Sequence, residues 1–306
     1  MEYFKGVFLV LAATLFWGMS SPVAKLMVAA NIHVLSAVVI RNAFVVFLLG
    51  IWFLLFKKES LVKEFLEKSQ FYLIASFFSI MCNTGGYAMS LLYLSASEAI
   101  ILHYTFPLFT SIASLYFAHE RPRIIDIFSD ILIICGVYAA VAGVGVPHLN
   151  DISISGIMWG CLSVCGMTSL VIFTRKRARS ERVDQYKLLF FSNLLGGMGL
   201  FICKTILIGW ADVANFTVLY LGITLFQAAA STLGAYAFFY SAFNYISAPL
   251  VSIITSFEIV VVFILSFLLI NAAPTAAEIF GSALIIFAIS CSAMRANVAG
   301  TLRKPA

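Results

Sequence analysis

The chain has 306 residues, 62% of them hydrophobic and 11% charged, with a formal net charge of +5. Ordinary soluble domains carry about 25% charged residues, so this chain cannot cover a soluble surface and lipid must be its solvent. The positive excess is explained by membrane topology, and nucleic-acid binding is not needed to account for it.

Apolar runs long enough to cross a bilayer, about 20 residues each as helix, follow one another along the chain. Helices are predicted over 5–29, 33–56, 70–93, 97–118, 124–144, 153–174, 186–209, 216–243, 246–270 and 276–295. The first run lacks a small-x-small cleavage site before a soluble domain, and further apolar runs follow it, so it is not read as a signal peptide. It carries Trp17, Ser20 and Ser21, an aromatic wall beside hydroxyls. The second carries Arg41. The third has Asn83, Tyr87 and Ser90 at spacings that share a helix face. The fourth holds His103, Tyr104, Thr105 and Pro107; proline removes a backbone donor and leaves a carbonyl free. The eighth repeats the polar stripe as Gln227, Ser231 and Gly234, with Tyr236 and Tyr240 beyond it, and the ninth carries Glu258. Runs this continuous lack the alternation of a membrane barrel.

Sixteen of the nineteen Lys and Arg residues fall in segments on one side if the N-terminus is inside, and none falls in the loops of the other side. Positive charge stays cytoplasmic, so the expected topology is ten helices with both termini in the cytoplasm.

The chain also repeats itself. Residues 87–96 read YAMSLLYLSA and residues 239–248 read FYSAFNYISA. Asp126-Ile127-Phe128 precedes Leu132-Ile133-Ile134 just as Glu278-Ile279-Phe280 precedes Leu284-Ile285-Ile286, and both matches lie 152 residues apart. The expected units are residues 1–149 and 150–306, five helices each. Five is odd, so the second unit enters the membrane from the opposite side. The expected fold class is therefore an all-α membrane protein of two inverted five-helix repeats. Such a pair rocking about a central site gives alternating access for a solute.

Charges within a bilayer cost roughly 2.5–3.5 kcal/mol on insertion scales, so each needs a reason. Glu258 reads as a substrate or proton site, or as a structural carboxylate held between helices. His103 is able to bind solute or relay a proton near neutral pH, or to sit neutral in a hydrogen bond. Arg41 reads first as a snorkelling or packing arginine, with attraction of an anionic group or pairing with a glutamate as the alternatives. Polar stripes either line a wet pathway or glue helices together. The six cysteines all lie inside apolar runs and read as packing residues.

Other classes lack their signs. No phosphate loop occurs, no H-E-x-x-H and no G-x-S-x-G, and the four histidines are scattered. No ring of like charge or filter-like repeat points to a channel. No enzyme activity, cofactor or metal is expected.

The same residues resemble the drug/metabolite transporter superfamily, in particular its EamA-type members. Phe16-Trp17-Gly18-Met19-Ser20-Ser21-Pro22 is similar to the family's W-G-x-S segment, and Arg41 to the arginine common on helix 2. Tyr93-Leu94-Ser95-Ala96-Ser97 resembles its A-x-x-Y-x-S-A segment, and Phe106-Pro107-Leu108-Phe109 followed by His119-Glu120-Arg121 resembles its L-x-P then G-E-R pattern. Phe257-Glu258 stands where many members have Glu-Pro. Departures are His119 for the usual glycine, Ile259 for the proline after the glutamate, and Asn271-Ala272 for the second G-E. The resemblance implies a carrier of small organic metabolites in the bacterial inner (plasma) membrane, often an exporter of amino acids. The implied cavity lies between the halves, lined by helices 1, 3, 4, 6, 8 and 9. The substrate-binding set is then Trp17, Ser20, Asn83, Tyr87, His103, Tyr104, Pro107, Gln227, Ser231, Tyr236 and Glu258, with Glu258, His103 and Arg41 for charge coupling. The expected partners are a small solute and the bilayer, and a monomer is the expected unit. An importer or exchanger of a nucleoside or nucleotide-like cofactor is the alternative; a membrane-embedded enzyme ranks below both.

Overall fold

The computed structural model describes residues 2–18, 23, 27–57, 61–94, 96–142, 153–180, 184–270 and 274–301. Ser20, Ser21, Lys25, the joint between the two units and Asn271-Ala272 lie outside the described residues. No strand occurs among those described. The long helices are α1 (Glu2–Gly18), α2 (Val34–Phe56), α3 (61–90), α4 (96–118) and α5 (Ile124–Ala142), then α6 (Ile154–Ser180), α7 (Gln185–Leu207), α8 (Val218–Ala242), α9 (248–270) and α10 (Ala276–Thr301). Helix occupies described residues in each predicted segment. Seven of these helices, α2, α4 and α6–α10, are long and apolar enough to cross a membrane.

Local chemistry sets the starts. The Asp184 carboxylate accepts from the Tyr186 and Lys187 N–H groups at the head of α7, and the Thr217 hydroxyl accepts from Tyr220 N–H at the head of α8. These satisfy donors that the first turn of any helix leaves over. α3 begins at Leu61, not at 70. Its first turns are amphipathic, laced by Lys63–Glu67 and Glu64–Lys68 pairs, and the backbone leaves helical geometry at Lys68 (φ −125°) before the apolar stretch starts. α6 runs on to Ser180, beyond the expected 174.

The packing repeats itself with the halves exchanged. A Cβ on Gly6 of α1 would stand 2.8 Å from Ile246 and 2.9 Å from Tyr245, at the end of α8. A Cβ on Gly156 of α6 would stand 2.6 Å from Leu94 and 3.0 Å from Tyr93, at the end of α3. Gly156 lies 150 residues after Gly6, while Tyr93 and Leu94 lie 152 residues before Tyr245 and Ile246. The α5–α10 pair does the same. A Cβ on Gly281 would meet the Gly136 carbonyl oxygen at 2.3 Å, and the Ser129 hydroxyl donates to the Ala288 carbonyl at 2.9 Å. Ser129 and Gly281, and Gly136 and Ala288, are each 152 apart, so one contact is the other with its halves swapped.

Polar ties at the helix ends follow the same exchange. Glu64 accepts from Lys187 (3.1 Å) and Tyr72 (3.1 Å). Asp212, 148 residues later, accepts from Ser36, the His33 N–H (3.0 Å) and the fully buried Lys204 ammonium (3.0 Å). A third tie has no such twin among the described residues. Arg175 donates to Glu120 (2.6 Å) and to the Phe243 carbonyl (2.6 Å), while the other Glu120 oxygen accepts from Ala248 N–H (2.9 Å). It binds the α4–α5 connection to the end of α6 and the head of α9.

Burial pushes the Asp212 carboxyl up, but donors from Ser36, Lys204 and the His33 backbone outweigh it and hold the group below the usual carboxylate range. Its stabilising contribution is therefore complete above the free-carboxyl value of about 3.9 and is lost as the pH falls through the lower folded value. Asp212→Asn strands a buried ammonium and is expected to cost about 3 kcal/mol near neutral pH. Thermal unfolding in detergent should show its melting-temperature deficit shrinking as the pH drops below about 4. Gly281→Ala is expected to cost about 2 kcal/mol through overpacking against Gly136, whereas Gly222→Ala, which meets nothing within 4 Å, should leave the melting temperature in place.

Candidate functional site

Two helices tighten locally, and the tightened turns meet. α4 tightens at Tyr104–Thr105, where Thr105 N–H donates to Leu102 O (3.2 Å) and Pro107 follows as an early residue of the next segment. Having no N–H, Pro107 leaves the His103 carbonyl without its usual helical donor. α9 tightens at Ser256, with short-range bonds from Ser256 N–H to Ile253 O and from Ile259 N–H to Ser256 O, both 3.2 Å. Ser256 lies 152 residues after Tyr104. Across the two turns the Tyr104 hydroxyl donates to Glu258 Oε2 at 2.9 Å.

Aromatic and polar side chains from other helices gather around this pair. Tyr87 of α3 and Tyr236 of α8 both lie within electrostatic reach of the Glu258 carboxyl. The Tyr87 ring is 5.2 Å from His103, and the Trp17 ring of α1 is 5.0 Å from Tyr236 and 5.0 Å from Phe239. His103 Nδ1 is 2.9 Å from the Ser163 hydroxyl of α6. Ser163 donates to Asn83 Oδ1 (3.4 Å), and Asn83 Nδ2 donates to the Met167 sulfur (3.6 Å). With its proton on Asn83, the Ser163 oxygen accepts from His103 Nδ1–H, which leaves the His103 Nε2 as an acceptor. Glu258, Tyr87, His103 and Tyr236 stay half-buried although helices enclose them, whereas Tyr104, Phe239 and Tyr240 are closed off. They form an aromatic and polar cluster between the helices, the candidate chamber of this protein.

Arg41 of α2 stands beside this cluster, within electrostatic reach of Tyr236, and the Thr84 hydroxyl of α3 donates to the Ser79 carbonyl at 3.1 Å. α3 and α8 widen to π-helical bonding over Phe77–Gly85 and Ala228–Gly234, matching positions of the two halves, and such bulges are frequent at functional sites. Asn83 and Thr84 lie in the first and Ser231 in the second.

Nine of the residues singled out in the sequence therefore converge: Trp17, Arg41, Asn83, Tyr87, His103, Tyr104, Pro107, Tyr236 and Glu258. Gln227 is buried and engaged. Ser231 spends its proton on the Phe16 carbonyl (2.8 Å), a bond from α8 to α1. Ser163, Thr84 and the tightened turn at Ser256 were not anticipated. A lone serine in an apolar helix carries no signal by itself, but the repeat offset from Tyr104 pointed to Ser256. Among the described residues no three His, Cys, Asp or Glu side chains converge as metal ligands would.

Residues 4–142 and 154–294 each match the EamA-like transporter family. The chain belongs to the EamA-like transporter family. No curated protein matches it. Among solved structures, one described only as a crystal structure of a protein superposes with a TM-score of 0.73 over 96% of this chain and 98% of that one, at 15% identity. That likeness speaks to the fold alone. This EamA-like protein is thus a multi-pass membrane protein of a transporter family, its two matched segments corresponding to α1–α5 and α6–α10.

Ser231→Ala in this EamA-like protein is expected to lower stability by about 1 kcal/mol, the net worth of one hydrogen bond. A melting-temperature deficit in detergent, with ligand response intact, would identify the residue as interhelical glue.

Proposed function

We propose that the protein is a secondary transporter moving a small organic metabolite by alternating access, with Glu258 as the group that binds a proton. The observation that carries this reading is the pair of tightened helical turns at matching repeat positions, joined by the Tyr104–Glu258 bond inside an aromatic chamber. Both positions keep right-handed helical dihedrals and tighten to bonds three residues back, and a short stretch of such tightening inside a helix often marks a functional hinge. The exchanged contacts of Gly6 with Gly156, and of Gly136 with Ser129, support two inverted halves, residues 1–149 and 150–306. The one-sided distribution of Lys and Arg supports ten spans with both termini in the cytoplasm of a bacterial cell.

In this reading Trp17, Tyr87 and Tyr236 form the walls that receive a flat or apolar solute, with Asn83, His103, Tyr104 and Glu258 as polar contacts and Pro107 shaping the opening in α4. His103, next to Tyr104 in the chain, takes part with Glu258 in proton movement. An amino acid or an aromatic or heterocyclic metabolite is the solute class we propose, with export as the direction that the resemblance favours. The same aromatic walls also suit a nucleoside or nucleotide-like cofactor, which is the second reading.

A thermal-shift screen of amino acids, nucleosides and related metabolites on purified protein identifies the solute, because binding to the native state raises its melting temperature. With that solute in liposomes, wild-type protein is expected to show saturable flux and counterflow, with conversion of the solute absent. Glu258→Gln keeps an acceptor for the Tyr104 hydroxyl and removes the titrating group. It should fold normally and lose proton-driven flux while still exchanging solute; wild-type pH dependence in that variant would refute the role.

A further inference from the structure

Arg41 has no counter-ion among the described residues. None of the ion pairs there includes it, and its Nε is shut away from solvent with no acceptor. Its electrostatic neighbour is the neutral Tyr236 phenol and not a carboxylate. Glu258, which would be the natural partner, is engaged by Tyr104 instead. A guanidinium does not shed its proton in a protein, and cations within a membrane come paired with an anion or a ring of acceptors. The α2–α8 side of the chamber is therefore short of one negative group.

The geometry points to Arg41 as the anchor for a carboxylate carried by the transported solute, with Tyr236 beside it. The guanidinium fork matches a planar carboxylate in a two-bond arrangement. One cation balances a single negative charge. A phosphate monoester would bring a second, and the Glu258 carboxyl lies within electrostatic reach of the same Tyr236. The chamber is thus polarised, a cation on the α2 side and an acid on the α9 side with Tyr236 facing both. A snorkelling or packing arginine, the first reading of the sequence, would find its partners at the membrane surface or in the helix set. This inference rests on the reading of the chamber as the solute site.

The test uses the purified full chain in detergent, with thermal unfolding as readout and phenylacetate, its neutral counterpart phenylacetamide, and phenyl phosphate as probes. Phenylacetate is expected to raise the wild-type melting temperature more than either of the other two. Arg41→Gln removes an unpaired buried charge, so it should melt at the wild-type temperature or above when no probe is present, and it should lose the phenylacetate response. Arg41→Lys keeps the charge without the fork and should respond at least tenfold more weakly in probe concentration. A lower melting temperature for probe-free Arg41→Gln would mean that the protein itself pairs the guanidinium, and would overturn the assignment. So would an undiminished phenylacetate response in that variant, or no response in the wild type. A stronger response to phenyl phosphate would overturn the carboxylate class. Stabilisation by phenylacetate through Arg41 without any counterflow in liposomes would remove the transporter reading and leave the anchor. Counterflow without a carboxylate response would remove the anchor alone.

Discussion

Hydrocarbon offers a backbone no hydrogen-bond partner, and every other feature of this protein follows from that. Each N–H and C=O must be satisfied within its own segment, which is why the described residues are helical and contain no strand. The tightened turns of α4 and α9 lie together, and the Tyr104 hydroxyl donates to the Glu258 carboxyl between them. The backbone constraint thus marks the place where polarity is allowed into the interior, and the aromatic residues around it keep that polarity from spreading.

The chamber owes its position to contacts made twice. Gly6 and Gly156 let α1 and α6 approach the ends of α8 and α3, and Gly136 and Gly281 let α5 and α10 touch backbone to backbone. Because each close approach joins one half to the other, the space between the halves stays at the centre and not within either. Trp17 then reaches Tyr236 and Phe239 across that divide, and His103 reaches Ser163 across it. The candidate site draws on both matched segments, and neither contains it whole.

Much of this was legible in the chain. The match of residues 87–96 to 239–248 and the run of apolar segments announced a duplicated membrane protein. Polar residues in apolar helices drew attention to Asn83, Tyr87, His103, Tyr104 and Glu258, because each costs too much in lipid to stand there idly. What stayed hidden has physical causes. Thr255-Ser256-Phe257 contains neither proline nor glycine, so the tightened turn in α9 has no local mark. The early start of α3 at Leu61 depends on i, i+4 charge pairs that read as a polar loop when the surface of the bilayer is ignored. Ser231 sits in a stripe that reads equally as wet or adhesive, and its bond to the Phe16 carbonyl is not visible in the sequence. Arg41 looked like a surface-seeking side chain, since a missing counter-ion cannot be read from a sequence.

The partnership of α1 with α8 has a bearing on biogenesis. The ribosome releases Gly6 and Trp17 first, yet Tyr245 and Phe239, the side chains they press against, emerge more than 220 residues later. Until then the leading helix has lipid where its glycine face belongs, and α6 must likewise reach back to a segment already delivered. The contacts between the halves can therefore form only once the trailing helices have been inserted.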